Sequence, residues 1–231
     1  MVDKAKNIAR HVALVMDGNG RWAQAHGYDR LRGHQEGVES LRDVVRTAAD
    51  SGVEYLTVYA FSTENWGRPA SEVQGLMELL AHTIVAEAEP LARSGVRLSF
   101  IGDQAALPDN LQQNMLAVSQ IEIPNIKLHL VVALNYGARE DIVNAVNHIV
   151  ASGVTTIDKQ TLAAHLATRD LPEVDFLIRT SGEQRLSNFL LWELSYSEIY
   201  FTSVLWPDFR GAQFTEALEW FAGRSRRYGK L

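Results

Sequence analysis

A chain of 231 residues, of which 46% are hydrophobic, can bury a complete core, and no linker or low-complexity tract divides it. We therefore predict a single domain over residues 1–231, with residues 1–10 as a flexible N-terminus. The absence of cysteine excludes disulfides and thiolate metal sites. A net charge of −6 argues against nucleic-acid binding, and the absence of a signal peptide or a long apolar run predicts a cytoplasmic protein.

Apolar runs that resemble strands alternate along the chain with segments of helical period. The runs cover residues 12–16, 55–61, 96–101, 128–134, 174–178 and 199–201. Most of them are continuously apolar, which is typical of strands buried on both faces. The alternation of strands and helices predicts an α/β fold, with a mostly parallel six-stranded central sheet flanked by helices.

The clearest helical segment extends from Ser71 to about Arg93. Ser71 and Gln74 fit a capping box, and apolar residues then recur at spacings of three and four. Similar periodicity predicts a helix around residues 142–150 and another from about Thr215.

Polar loops follow four of the predicted strands, at residues 17–22, 62–68, 135–137 and 179–187. In an open α/β sheet, ligands bind beyond the carboxyl ends of the strands. These loops are therefore the candidate site, and the topology should bring several of them to one edge.

The first loop combines glycines, an arginine and a carboxylate. Gly18 and Gly20 allow the backbone to approach a ligand closely, and Arg21 can bind a phosphate through two hydrogen bonds. Asp17 would repel a phosphate unless a divalent cation lay between them, and Mg²⁺ is commonly held by one or two carboxylates and substrate phosphates. The alternative is an Asp-Gly turn that ends the strand, with a surface arginine. The loop matches no common nucleotide-binding motif.

The second loop contains Trp66, which either covers the core or forms a ligand wall together with Ser62 and Asn65. Arg30, Arg32 and His34, which come between the two loops, either form a solvated basic turn or contribute further phosphate contacts. For Arg32 a solvated turn is the preferred interpretation.

The fifth strand is followed by Arg179, Arg185 and Ser187, which together could clamp an anion. The alternative is an ion-pair cluster with Glu183. Several arginines at one edge would repel each other unless anions were bound, which suggests two phosphorylated ligands, or one highly phosphorylated ligand, and a metal. A phosphotransferase or nucleotide-binding protein is a rival interpretation, but it predicts a lysine in these loops, and they contain none.

Long motifs in chain order resemble the signatures of the cis-prenyltransferase family. They cover residues 11–23, 59–69, 175–183, 185–192, 198–201 and 205–209. The resemblance extends from about residue 10 to the C-terminus. It implies a transferase that condenses isopentenyl diphosphate onto an allylic diphosphate, with farnesyl diphosphate as the expected primer, and forms cis double bonds.

The expected product is undecaprenyl diphosphate, the lipid-carrier precursor for cell-wall peptidoglycan. A different product length, or a non-catalytic partner subunit, are the alternatives. The resemblance also implies Mg²⁺ as cofactor, a homodimer and loose membrane association during product release. A hydrophobic tunnel should hold the growing chain, with walls from the second strand and the helix at residues 71–93. Small residues available there are Ala60, Ala81, Ala86 and Ala88, although ordinary core packing is the alternative for most of them.

The resemblance also assigns roles to individual residues. It implies Asp17 as the catalytic carboxylate and a Mg²⁺ ligand, Glu198 as the second ligand, and Asn65 as proton acceptor, although the substrate diphosphate is a credible alternative acceptor. The diphosphate of the primer is assigned to Gly18, Asn19, Gly20, Arg21, Trp22, Arg30 and His34, with Ser62, Thr63, Glu64, Trp66 and Arg68 beside it. Isopentenyl diphosphate is assigned to Arg179, Arg185, Leu186 and Ser187, and the C-terminal Arg227 and Gly229 to the partner's active site.

Overall fold

The computed structural model describes residues 8–225, and its strands form one sheet. The strands are β1 (His11–Val15), β2 (Tyr55–Ser62), β3 (Val96–Ile101), β4 (Leu128–Tyr136), β5 (Phe176–Arg179) and β6 (Glu198–Phe201). Their order in the sheet is β3-β4-β2-β1-β5-β6, and every neighbouring pair is parallel. The predicted six-stranded sheet is therefore confirmed, and among the described residues it is entirely parallel.

Helices cover both faces of the sheet. They are α1 (Asn19–Ala25), α2 (Arg30–Asp50), α3 (Ala70–Arg93), α4 (Asp109–Ser119), α5 (Ala138–Ala151), α6 (Lys159–Ala163) and α7 (Gly211–Ala222). Alternate residues of β1 point to opposite faces: Val12 and Leu14 join the larger core with α2, α3, α4 and α7, whereas Ala13 and Val15 join the smaller core with α5. Burial on both faces explains why the strands are continuously apolar.

Two helix boundaries differ from the sequence-based prediction. The capping box predicted at Ser71 is wrong, because α3 begins at Ala70 directly after Pro69. A capping box forms earlier, where Ser62 and Asn65 cap a short 3-10 helix (Thr63–Gly67). The last helix begins at Gly211 rather than near Thr215. Both differences arise because several polar residues near a helix start can act as a cap, and backbone geometry decides between them.

The strand order places a topological switch point between β1 and β5. The chain leaves β1 to form β2 on one side of it and later returns to form β5 on the other side. Loops at the carboxyl ends of such strands diverge and leave a crevice, which is the usual ligand position in open α/β sheets. Asp17 follows β1 and Arg179 ends β5, so both residues lie at this crevice. Among residues 8–225, no helix combines the length and apolar character needed to cross a bilayer.

Candidate active site

Asp17 and Arg179 form a largely buried ion pair at the switch point. Arg179 Nη2 donates to Asp17 Oδ2 at 2.9 Å, and the exposed fractions of the two side chains are 4% and 29%. The Thr180 hydroxyl fixes the backbone of Asp17, because it accepts from the Asp17 amide at 2.9 Å and donates to the Asp17 carbonyl at 2.6 Å. The loops that follow β1 and β5 are thus held together at the point where the two strands separate.

The surroundings of Asp17 keep its carboxyl group ionised. Partial burial raises the pKa of Asp17, but the hydrogen bond and charge of Arg179, with the charge of Arg21, outweigh it, so the net pKa lies below its usual value. Arg179 also donates through Nη1 to Ser187 Oγ at 2.8 Å and to the Arg185 carbonyl. Its Nε is buried without a hydrogen-bond partner, so the guanidinium keeps one donor unused.

Arg21 is oriented by the loop that follows β5. Its Nη2 contacts Ser181 Oγ at 2.6 Å, and its Nη1 donates to the Ser181 carbonyl at 3.1 Å. Ser181 has a φ of 77°, a left-handed conformation that is unusual for a residue with a side chain. Glu183 pairs with both Arg21 and Arg185, so the ion-pair cluster considered as an alternative is present beside the arginine clamp.

A second cluster of basic side chains comes from α2 and the loop that follows β2. Arg30 and Arg68 both pair with Glu72, with N–O distances of 3.4 and 3.1 Å. His34 lines the same cavity as these two arginines, and burial, together with the charge of Arg68, lowers the pKa of His34 to about 4. Its Nε2 is buried without a hydrogen-bond partner. A neutral imidazole with a free nitrogen beside two arginines is suited to contact an anion.

Some of the polar residues after β2 line the cavity, and others hold the loop in place. Asn65 Oδ1 accepts from the Ser62 amide at 3.1 Å, so its amide oxygen already has a backbone partner. Trp66 donates through Nε1 to Asn135 Oδ1 at 2.8 Å and packs edge-on against Phe61. Trp66 therefore covers the core, which was the alternative interpretation, and does not line the cavity.

A cavity of about 650 Å³ extends from this basic edge between α2, α3 and the sheet. Among its lining residues are fourteen of those predicted for the site: Asp17, Gly18, Asn19, Gly20, Arg21, Arg30, His34, Ser62, Glu64, Asn65, Arg68, Arg179, Arg185 and Ser187. The inner part is mainly apolar, with Leu76, Leu80 and Ile84 of α3 facing Leu130 and Val132 of β4. One end of the cavity is thus suited to anions and the other to hydrocarbon.

Five predicted site residues lie elsewhere in the structure. Trp22 is buried and donates to Asp208 Oδ1 at 2.8 Å, and Thr63, Trp66 and Leu186 do not line the cavity. Glu198 begins β6 beside Phe176, at the amino edge of the sheet, and pairs with Arg224 at 3.2 Å. Within one chain, Glu198 is therefore not placed to share a cation with Asp17. The predictions for Arg227 and Gly229 lie outside the described residues.

The comparison with protein-family models gives the family. The model described as putative undecaprenyl diphosphate synthase matches residues 15–229. The chain belongs to the undecaprenyl diphosphate synthase family. This confirms the cis-prenyltransferase resemblance found in the sequence and the prediction of an enzyme that elongates prenyl chains with cis double bonds.

Individual members of the family are similar to this chain in sequence or structure over nearly its whole length. Isoprenyl transferase 2 of Bradyrhizobium diazoefficiens is 47% identical, over 96% of this chain and 90% of the relative. The Escherichia coli ditrans,polycis-undecaprenyl-diphosphate synthase, named as specific for (2E,6E)-farnesyl diphosphate, is 47% identical over 95% and 89%. Among solved structures, lavandulyl diphosphate synthase from Lavandula x intermedia, in complex with dimethylallyl diphosphate, has a TM-score of 0.93 at 36% identity, covering 97% of this chain and 100% of that one. A probable undecaprenyl diphosphate synthase from Campylobacter jejuni has a TM-score of 0.82 at 32% identity, with the same coverage.

The possible metal ligands at this site suit a cation that is bound partly by the protein and partly by the phosphate oxygens of a substrate. No group of three or more metal-ligating side chains occurs within residues 8–225. Asp17 is ionised, partly exposed and surrounded by arginines that favour an anionic ligand nearby. Mg²⁺ often takes one or two protein carboxylates and completes its octahedral shell with phosphate oxygens and water. Asp17 together with a bound diphosphate would fit that pattern.

Several residues of the site were not predictable from the sequence. Thr180 and Ser181 position Asp17 and Arg21, but hydroxyl residues in a loop carry no pattern that predicts such contacts. Val38 and Leu41 of α2 line the cavity and were not predicted. Of the small wall residues considered, Ala60 does line the cavity. Ala81, Ala86 and Ala88 are not among its lining residues. Ala81 belongs to the larger core and Ala88 packs against it, which agrees with the alternative interpretation of ordinary core packing.

Proposed function

We propose that this enzyme condenses isopentenyl diphosphate onto farnesyl diphosphate in successive steps, requires Mg²⁺, and releases undecaprenyl diphosphate. The observation that carries the proposal is the single cavity with arginines at one end and leucines at the other. The family and the printed specificity of the Escherichia coli relative support the choice of substrate and product.

Two anion sites suit the two diphosphates. Arg30 and His34 belong to α2 and Arg68 directly precedes α3, and these two helices also line the apolar part of the cavity, so we assign the diphosphate of the allylic primer to them and to Arg21. Arg179, Arg185 and Ser187 form the neighbouring clamp, which we assign to isopentenyl diphosphate. Asp17 lies between the two sets because it contacts both Arg21 and Arg179.

In the proposed reaction, the bond between the allylic carbon and its diphosphate oxygen breaks while the double bond of isopentenyl diphosphate attacks that carbon. Arginine guanidinium groups stabilise the negative charge that develops on the leaving diphosphate. When bound, Mg²⁺ supplies additional charge neutralisation at this diphosphate, and Asp17 would hold it. A proton is then lost, and the new cis double bond forms.

The hydrogen-bond partner of Asn65 supports a choice of proton acceptor. Asn65 Oδ1 accepts from the Ser62 amide, and a neutral amide is a weak base. We therefore favour the substrate diphosphate as acceptor, with Asn65 shaping the loop. An Asn65→Asp variant tests this: a base role predicts a rate that follows the new carboxylate's titration. A shaping role predicts no such dependence, because a carboxylate oxygen can still accept from the Ser62 amide.

Incubation with farnesyl diphosphate, labelled isopentenyl diphosphate and Mg²⁺, followed by chromatographic sizing, tests the proposal directly. We expect label in a long polyprenyl diphosphate, loss of activity with a chelator, and recovery on addition of Mg²⁺. Asp17→Ala should remove most turnover. Near-normal rates in that variant, or full activity without Mg²⁺, would contradict the role of Asp17.

A homodimer remains a further prediction, and light scattering on the purified protein measures it. If the chain is a dimer, Glu198, Arg227 and Gly229 can be tested for action across the interface by mixing two inactive variants. Recovered activity in the mixture would show that one subunit completes the site of another.

A further inference from the structure

The segment that carries Ser187 has an unusual backbone. Ser187, Asn188 and Leu190 have φ values of 50°, 62° and 45°, in the left-handed region that residues with a side chain rarely adopt. Such conformations persist only where surrounding contacts fix them. The segment matters to the site because Arg179 donates both to Ser187 Oγ and to the Arg185 carbonyl, which defines the shape of the arginine clamp.

Asn188 makes the contacts that hold this segment against α5. Its carbonyl accepts from the Ala138 amide at 2.8 Å, and its Oδ1 accepts from the Arg139 amide at 2.9 Å. These amides are the first two of α5, and the N-cap residue of that helix, Gly137, has no side chain to bind them. Asn188 therefore caps α5 from a distant part of the chain, and the helix in turn fixes the backbone next to Ser187.

The amide nitrogen of Asn188 joins this cap to the loop that follows β2. Nδ2 donates to Glu64 Oε1 and to Glu140 Oε2, both at 3.0 Å. Two carboxylates that would otherwise repel each other are thus held by one amide group. Glu64 lines the cavity, whereas Asn188 does not. Asn188 therefore connects two loops of the site without lining it.

We propose that Asn188 is a positioning residue for isopentenyl diphosphate, because it keeps Ser187 and the Arg185 carbonyl where Arg179 binds them. This inference rests on the proposed function, which assigns that clamp to isopentenyl diphosphate. Without the Asn188 side chain, the segment can relax towards ordinary φ values, and the clamp is no longer preorganised for its ligand. The arginines and histidine assigned to the primer make no contact with Asn188 and keep their own partners.

The test measures the KM for each substrate separately in Asn188→Ala. We expect the KM for isopentenyl diphosphate to rise roughly tenfold or more, and the KM for farnesyl diphosphate to stay within about twofold of the wild type. A role in stability alone would reduce the folded fraction and hence the apparent kcat, but it would leave both KM values unchanged. Thermal unfolding of the variant measures the folded fraction.

Asn188→Gly separates the side chain from the backbone. Glycine adopts a positive φ freely, so this variant keeps the turn and its carbonyl contact but loses the side-chain contacts with Arg139, Glu64 and Glu140. We expect the KM for isopentenyl diphosphate to rise here as well. A wild-type KM in Asn188→Gly would show that the backbone alone positions the clamp, and would overturn the proposal.

Gly137→Ala perturbs the same contacts while Asn188 stays in place. The φ of Gly137 is −149°, which suits alanine, but the new Cβ would lie 2.2 Å from Glu140 Oε2 and 2.7 Å from Asn188 Nδ2, so these atoms must move. The same selective rise in the KM for isopentenyl diphosphate is expected. Asn144→Ala, at an exposed position of α5, is the matched control and should change neither KM.

The inference and the proposed function can fail separately. If the wild-type enzyme elongates farnesyl diphosphate but folded Asn188→Ala has an unchanged KM for isopentenyl diphosphate, the inference alone is overturned. If the wild-type protein makes no polyprenyl diphosphate, the proposed function fails, and calorimetric titration with inorganic pyrophosphate then decides the role of Asn188. Weaker pyrophosphate binding in Asn188→Ala would support positioning of an anion clamp, and identical titrations would overturn it.

Discussion

Replacing Asp17 by alanine should reduce stability as well as activity. The substitution leaves the Arg179 guanidinium, whose side chain is only 4% exposed, without its carboxylate partner. Removing one partner of a fully buried pair costs about 3–5 kcal/mol. Asp17 is 29% exposed and Arg179 keeps Ser187 Oγ and a carbonyl as acceptors, so we expect about 2–3 kcal/mol. For a domain of this size, that corresponds to a decrease in Tm of roughly 4–12 °C.

Urea unfolding followed by tryptophan fluorescence measures this loss, and an exposed ion pair provides the control. Arg10 and Glu54 pair at 2.8 Å with exposed fractions of 57% and 55%, so Glu54→Ala should cost less than about 1 kcal/mol. Pyrophosphate without metal should raise the Tm of Asp17→Ala more than that of the wild type, because the variant offers an unpaired Arg179. An Asp17→Ala protein as stable as the wild type would refute the reasoning.

Three further predictions concern other parts of the molecule. Burial lowers the pKa of His11 to about 4, so between pH 6.5 and 4 the unfolded chain binds a proton that the folded chain does not. The free energy of unfolding should therefore fall by about 2 kcal/mol from pH 7 to pH 5. His11→Gln should reduce this pH dependence, as measured by urea unfolding at each pH. Ser181→Gly should leave stability nearly unchanged, because it relieves a positive φ, but should raise the KM for the allylic primer roughly three- to tenfold by releasing Arg21; an unchanged KM would contradict that role. Gly33→Ala would place a Cβ 2.1 Å from a carbonyl oxygen of α1 and should cost about 1–3 kcal/mol, whereas Gly67→Ala meets no atom within 4 Å and serves as its control.

The sheet and the polar edge of the site were predictable from sequence because both follow from simple periodicity. Continuous apolar runs identified all six strands of the described region, with boundaries that differ by at most two residues. The rule that loops at the carboxyl ends of parallel strands meet at one edge brought Asp17 together with Arg179 and Arg185. These two steps need no knowledge of side-chain orientation.

Orientation explains most of what the sequence did not predict. Trp66 turns towards Asn135 rather than the cavity, and the sequence gives no signal for the direction of an aromatic ring in a loop. On α3 the core face and the cavity face are adjacent, so periodicity alone could not decide whether Ala81 and Ala88 line the cavity or pack with the core, as they do in the structure. Glu198 was misplaced for a different reason. Its predicted role as a metal ligand came from the family resemblance, but it lies at the amino end of β6, on the opposite edge of the sheet from Asp17.

The central position of β1 has a consequence for synthesis of the chain. Val12 pairs with Leu56 on one side but with Phe176 on the other, so β1 leaves the ribosome long before its second neighbour has been made. During that interval the strand exposes unsatisfied backbone donors and acceptors, which favour misassembly with other nascent chains. Premature termination anywhere before residue 176 should therefore yield an aggregating fragment rather than a smaller folded protein.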